Sequence, residues 1–340
     1  MGQMLILKKF KSFKMIGPFD IHYYIKSPIL DIIVLKDGKL VTISTNKKLT
    51  FYDKDYNFLL EFILERDEKA IGDGCLTELE DEDLVITFDH IVEIRTKEKE
   101  KNEYSKLKRI SYDGRVCRIT TKKLNNYRFI ISRLYMNEIQ IWDKDSNDSN
   151  YKCIYEGTVL EGLMFNMNII NENLFFYHNF EFSYFYTHDF KKENNKLLKT
   201  YKSAYNHEEV NLYDFTCKLK YKTKSCTFNP SLYNNKIYLI ENSMLIIIDT
   251  KDFKETKYKI SFKEYPTALL FLSNERFLAS TYKEILEFKF ENDSIVPIKR
   301  CSDKINKSHD IGKYFYENKN GDIICFSDRI LFFDKKQLIE

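Results

Sequence analysis

Short runs of apolar and β-branched residues recur along the chain, each broken by a polar turn. One unit is plain in the first third. Leu30-Asp31-Ile32-Ile33-Val34-Leu35 is an apolar run, and Asp37-Gly38 follows it, two residue types that tolerate the positive φ of a tight hairpin. Lys39-Leu40-Val41-Thr42-Ile43-Ser44 is a second run and Thr45-Asn46-Lys47 a second turn. Lys48-Leu49-Thr50-Phe51-Tyr52-Asp53 reads as a third strand, and 56–62 supplies a fourth. No run reaches the ~18 apolar residues of a membrane-spanning helix.

The same grammar recurs six more times. Its first turns fall at Glu80 to Asp83, Asn125-Asn126, Asn171-Glu172-Asn173, Asn234-Asn235, Asn274-Glu275 and Asn320-Gly321. The third strands end at Asp53, Thr96, Asp143, His188, Asp249, Lys289 and Asp334, with spacings of 43, 47, 45, 61, 40 and 45 residues. All but the fourth lie near the ~40–45 residues of a four-stranded propeller blade. The long step implies an insertion of about 16 residues between His188 and Ser225. A lone sheet of this kind cannot bury its apolar faces, whereas blades stacked around an axis bury both.

The expected fold is therefore all-β: a single seven-bladed β-propeller of four-stranded blades over 1–340. The blades fall at roughly 28–64, 74–112, 113–156, 160–224, 225–262, 266–302 and 310–340 plus 4–13. The last unit runs out after Asp334, so the N-terminal segment Leu5 to Phe13 is expected to pair beside it and close the ring. The insertion is expected near 189–224. Its 188–211 part is polar and rich in Lys and Asn, which predicts a loop bulging from the rim.

The unit resembles a WD-repeat blade. Trp142-Asp143 ends a third strand as the WD dipeptide does, and Tyr52-Asp53, Ile248-Asp249 and Phe333-Asp334 fill the same place. The resemblance covers nearly the whole chain as a pattern. No Gly-His dipeptide precedes a first strand, so the family's His–Asp hydrogen-bond network is expected to be missing. Kelch blades would need Gly-Gly, which does not occur. The resemblance implies a protein-interaction scaffold, a subunit or adaptor of a larger complex. The WD-repeat loops between second and third strands usually face the partner. Here they contribute Lys47, His90, Arg133, Tyr135, Met136, Phe180, Tyr282 and Arg329 as candidate contacts.

Candidate chemistry changes the picture little. Gly72-Asp73-Gly74-Cys75-Leu76-Thr77 starts like a phosphate-cradling loop, but it ends in Thr and precedes a strand, so it reads as a turn between blades. His207-Glu208-Glu209 lacks the second His of a zinc-protease helix, because position 211 is Asn211. Asp81-Glu82-Asp83 reads as a solvated turn. No catalytic residue, metal site or cofactor is expected, and the chain is read as a non-enzyme. The Phe-Arg-Arg-Gly tetrapeptide of phosphoinositide-binding propellers is absent.

Lys and Arg total 54 against 51 Asp and Glu, a net charge of +3 that by itself implies no nucleic-acid partner. Seven Cys occur without a CxxC, which suits reduced thiols and a cytoplasmic or nuclear location. The expected state is a monomeric propeller within a complex. One feature favours an alternative, a nucleic-acid-associated or anionic-surface binder. Lys218, Lys220, Lys222 and Lys224 alternate with other residues, so in a regular strand four ammonium groups would line one face. Such a row would be either an edge guard on an outermost strand or a docking strip.

Overall fold

A computed structural model describes residues 21–26, 29–64, 74–88, 90–98, 103–112, 119–124, 127–133, 138–144, 150–158, 166–171, 174–178, 182–189, 197–202, 209–213, 216–224, 231–241, 244–260, 262, 266–272, 275–281, 284–292, 294–302, 314–317, 322–326 and 329–334. Every regular element among them is a β-strand.

Five four-stranded blades are uninterrupted antiparallel meanders, not the seven expected. The first has strands Ile29–Val34, Leu40–Ser44, Lys48–Tyr52 and Phe58–Ile63. The second has Gly74–Glu78, Leu84–Phe88, Ile91–Glu98 and Glu103–Ser111, and the third Ile119–Lys123, Arg128–Arg133, Glu138–Lys144 and Tyr151–Thr158. The fourth meander spans 231–259 and the fifth 266–302. Two further four-stranded sheets are each assembled from segments apart in the chain. One joins Asn166–Asn171, Leu174–His178 and Phe182–Asp189 to Thr216–Lys224, across the insertion. The other joins Tyr314–Glu317, Asp322–Phe326 and Arg329–Asp334 to Ile21–Lys26.

That second composite sheet corrects the expected closure. The strand beside Arg329–Asp334 is Ile21–Lys26, with Tyr24 opposite Leu331, Ile25 opposite Ile330 and Lys26 opposite Arg329. Residues 4–13 lie outside the described residues. The placement has a topological reason. In each meander the outermost strand leads to the next blade's innermost strand, and Ile21–Lys26 immediately precedes the innermost strand of the first blade.

The insertion is likewise not simply a loop. Leu197–Lys202 pairs with Glu209–Tyr213 as a two-stranded hairpin, with Tyr201 opposite Val210. Its second strand lies alongside Tyr151–Thr158, the outermost strand of the third blade.

The turn chemistry follows the residue types. Gly38 has φ 87° at the first hairpin, where the Leu35 N–H donates to Lys39 O at 2.8 Å. Asn234 and Asn235 have φ 49° and 58°, the left-handed pair of a tight hairpin. The Asp that ends a third strand organises the next turn: Asp53 accepts the Asp55 and Asn57 N–H groups at 2.8 Å, and Asp249 accepts that of Lys251 at 2.8 Å. Asp143 instead receives Arg128 from the neighbouring strand at 2.6 Å.

The core lies between blades. Leu79, Val85, Val92, Ile94 and Ile110 of the second blade pack with Phe129, Ile131, Trp142 and Cys153 of the third. Trp142 is fully buried and stacks on Phe129 at 6.4 Å. Phe271, Phe277 and Phe288 stack in series with centroids 5.2 Å apart. Aromatic residues suit this place because flat rings fill the wedge between twisted sheets. Gly74 opens the second blade's innermost strand, and a Cβ there would meet Leu30 Cδ1 at 3.0 Å. The glycine lets the first two blades approach at the axis.

Candidate functional site

Innermost strands have a neighbour on only one side, so their outer backbone groups need other partners. Side chains of adjacent blades supply some of them. The Asp31 carboxylate accepts the Leu76 N–H of the second blade at 2.7 Å and its neighbour Ile32 N–H at 2.8 Å. The Cys75 thiol and the Thr77 hydroxyl both donate to Thr121 O of the third blade, at 3.2 and 3.1 Å. Burial pushes the Asp31 carboxyl above its ordinary range, against the pull of Lys122 and the N–H donors. Burial and then the nearby Asp31 charge raise the Cys75 thiol. A thiol held in that form is a packing group and a poor nucleophile.

The turns joining first to second strands gather on one face of the ring and carry a chain of ion pairs. Lys36 of the first blade reaches Glu80 of the second at 3.0 Å, and Glu80 also receives Lys123 of the third at 3.1 Å. Lys97 bridges Asp37 at 3.0 Å and Glu82 at 2.9 Å. Lys144 of the third blade bonds both Asp81 and Asp83 of the second. Asp83 is fully buried, which corrects the expectation that the 81–83 turn is merely solvated. It accepts the Thr96 hydroxyl at 2.6 Å, the Tyr151 hydroxyl at 2.9 Å and Lys144 at 2.8 Å. Burial and the Asp83 and Asp81 charges hold the Tyr151 phenol neutral, well above its usual range.

On the opposite face lie the expected contact loops. Lys47 sits in its turn with φ 60° and is buried, its carbonyl accepting the Leu64 N–H at 3.0 Å. His90 is half-buried in its turn, and its carbonyl accepts the Tyr112 N–H at 3.0 Å. Arg133 is 2% exposed; it pairs with Glu138 and lies over the Tyr112 ring, 5.2 Å from its centroid. Tyr112 in turn donates to Gln140 Oε1 at 2.6 Å, which also accepts the Trp142 indole N–H at 3.1 Å. These groups hold the second and third blades together. Arg329 opens the strand Arg329–Asp334. Tyr135, Met136, Phe180 and Tyr282 lie outside the described residues.

The strand Thr216–Lys224 is the outermost of its sheet, but its four lysines do not form one regular row. Lys222 and Lys224 lie opposite Tyr184 and Phe182, whereas Lys218 lies opposite Thr187, with a bulge between. Lys220 has no partner position in this register. The pairing register with Phe182–Asp189 shifts by one residue between Tyr221 and Leu219, so the strand keeps no single unbroken alternation.

The rim carries a different feature. Phe58, Leu59 and Ile63 of the first blade's outermost strand are 46%, 42% and 74% exposed. Glu61, the single charged residue of that strand, is occupied by Lys48 at 2.7 Å. Other outermost strands carry charges or proline: Lys106, Lys108 and Arg109; Glu255, Lys257 and Lys259; Pro297, Lys299 and Arg300. Such residues discourage edge-to-edge pairing. In the sequence an apolar fourth strand such as Phe58–Ile63 looks like core. Its edge position was the available signal.

Among the described residues, no group of three or more His, Cys, Asp or Glu is arranged to hold a metal ion. No family model and no curated protein matches the sequence. Solved structures do match. The Saccharomyces cerevisiae protein Sqt1 superposes with a TM-score of 0.59 over 92% of this chain and 97% of its own, at 8% identity. A chain of the Mitotic Checkpoint Complex superposes with a TM-score of 0.64 over 98% of each chain, also at 8% identity. The chain shares their fold, a β-propeller.

Proposed function

We propose that the protein is a non-catalytic interaction scaffold of WD-repeat-like type, working in the cytoplasm or nucleus as one subunit of a larger assembly, with the rim of the first blade as a protein contact. The observation that carries this reading is the strand Phe58–Ile63, which exposes three large apolar side chains, whereas the described outermost strands with Leu107 or Ile298 expose one each beside several charges or proline. Clustered exposed apolar residues mark interaction sites more than they mark rigid, self-sufficient folds. Support also comes from the fold shared with a chain of the Mitotic Checkpoint Complex, a multi-protein assembly by its name. The ion-paired seams favour a rigid platform, which spares binding the cost of ordering it.

The test is a double substitution, Leu59→Lys with Ile63→Lys. Both side chains are exposed, so the melting temperature should stay within a few degrees. Recovery of a stoichiometric protein complex from the native source should fall at least about tenfold, the loss of a well-packed contact of about 1.4 kcal/mol or more. Full retention of the complex would overturn the rim assignment. Salt-sensitive retention on nucleic acid or acidic lipid, with no protein partner, would overturn the scaffold reading itself.

A further inference from the structure

Four carboxylates, Glu78, Asp37, Glu80 and Glu82, gather at the seam between the first two blades. Glu78 ends the second blade's innermost strand and crosses the seam, where both its oxygens accept the Lys36 N–H of the first blade, at 3.1 and 2.8 Å. Asp37 and Glu82 flank it, bridged by Lys97, and Asp37 also holds Lys39 at 2.9 Å. Glu80 is taken by Lys36 and Lys123. Tyr104 comes from the second blade's outermost strand, stacked on Phe51 at 5.2 Å. It is 6% exposed, and its hydroxyl has no hydrogen-bond partner among the described residues. That hydroxyl lies in the field of Glu78, Asp37, Glu82 and Asp83.

We propose that Glu78 is a proton-operated latch on this seam, binding one proton from solvent and thereby changing its grip on the Lys36 backbone. Ionised, Glu78 offers two acceptor oxygens to the Lys36 N–H but crowds Asp37 and Glu82. Protonated, it removes one of three like charges and leaves one unprotonated oxygen as the stronger acceptor for the Lys36 N–H. Burial is the main influence on this carboxyl. With the Asp37 and Glu82 charges it outweighs the Lys36 N–H and ammonium, and the group is pushed up from 4.5 to about 7. The folded chain therefore takes up this proton before the unfolded chain does. The stability it contributes is full below 4.5 and is lost as pH rises toward about 7.

The experiment uses the full chain labelled with ¹⁵N-lysine, following the Lys36 amide shift from acid to mildly alkaline pH. The expected result is one midpoint near neutrality that disappears in Glu78→Gln. Glu82→Gln leaves Glu78 in place on a partly exposed turn, and removing that like charge should lower the midpoint by a few tenths of a pH unit. It also decides the matter if Glu78→Gln fails to fold. A Lys36 midpoint in the ordinary carboxylate range overturns the latch, as does a neutral midpoint that survives Glu78→Gln or is unmoved by Glu82→Gln.

Discussion

Asp83→Ala should destabilise the protein by about 3–5 kcal/mol, as expected when one partner of a buried ion pair is removed. The carboxylate is fully buried and accepts from Thr96, Tyr151 and Lys144. Alanine leaves the Tyr151 hydroxyl buried without that acceptor, and Asp81 alone holds the Lys144 ammonium. Asp83→Asn keeps the volume and one acceptor oxygen, so its loss should be smaller, on the order of half. Urea denaturation followed by circular dichroism measures both. A change below about 1 kcal/mol for Asp83→Ala would mean that the seam between the second and third blades does not depend on this residue.

The second large effect belongs to Trp142, the single tryptophan of the chain. Its ring is fully buried, stacks on Phe129, carries the Lys108 ammonium 5.2 Å from its centroid and donates to Gln140. Trp142→Ala should cost about 3–5 kcal/mol, combining lost transfer energy with the cavity left behind. Trp142→Phe retains much of the packing and should cost less. Being the sole tryptophan, Trp142 also reports on this seam directly. Native emission should be blue-shifted and should move red in one step with the far-ultraviolet circular dichroism. Solvent-exposed emission in the native state would contradict the packing.

The strands and hairpins were legible because their causes are local. Asp37-Gly38 and Asn234-Asn235 accept positive φ, and the Asp at the end of a third strand caps the turn beside it. The parts that were not legible depend on distant pairing. Several segments are β-rich enough to close a sheet, and only topology selects Ile21–Lys26 for the strand Arg329–Asp334. The insertion looked like a loop because Lys and Asn dominate it, yet 197–213 pairs as a hairpin beside the third blade. The bulge at Lys220 leaves no mark in an alternating sequence. Asp83 looked solvated because its neighbours are acidic; its burial comes from Tyr151 and Lys144, roughly one blade further along the chain. The charged seams escaped for the same reason, since Lys36, Glu80 and Lys123 meet only when blades stack.

The propeller is closed by a sheet that joins Ile21–Lys26 to Arg329–Asp334, segments about 300 residues apart in the sequence. The most direct measurement is a cross-link between them. Ile25 and Ile330 are opposite each other in the antiparallel pair. In the double variant Ile25→Cys with Ile330→Cys, mild oxidation should link the two segments, with the joined peptide found by mass spectrometry after digestion. The link closes a loop of about 300 residues, so the oxidised protein should melt higher than its reduced form. Opposed positions in paired strands lie within disulfide reach, ~4.5–5.5 Å between Cα atoms. Failure of this pair to link, in a variant that folds and melts like the parent, would contradict the closure.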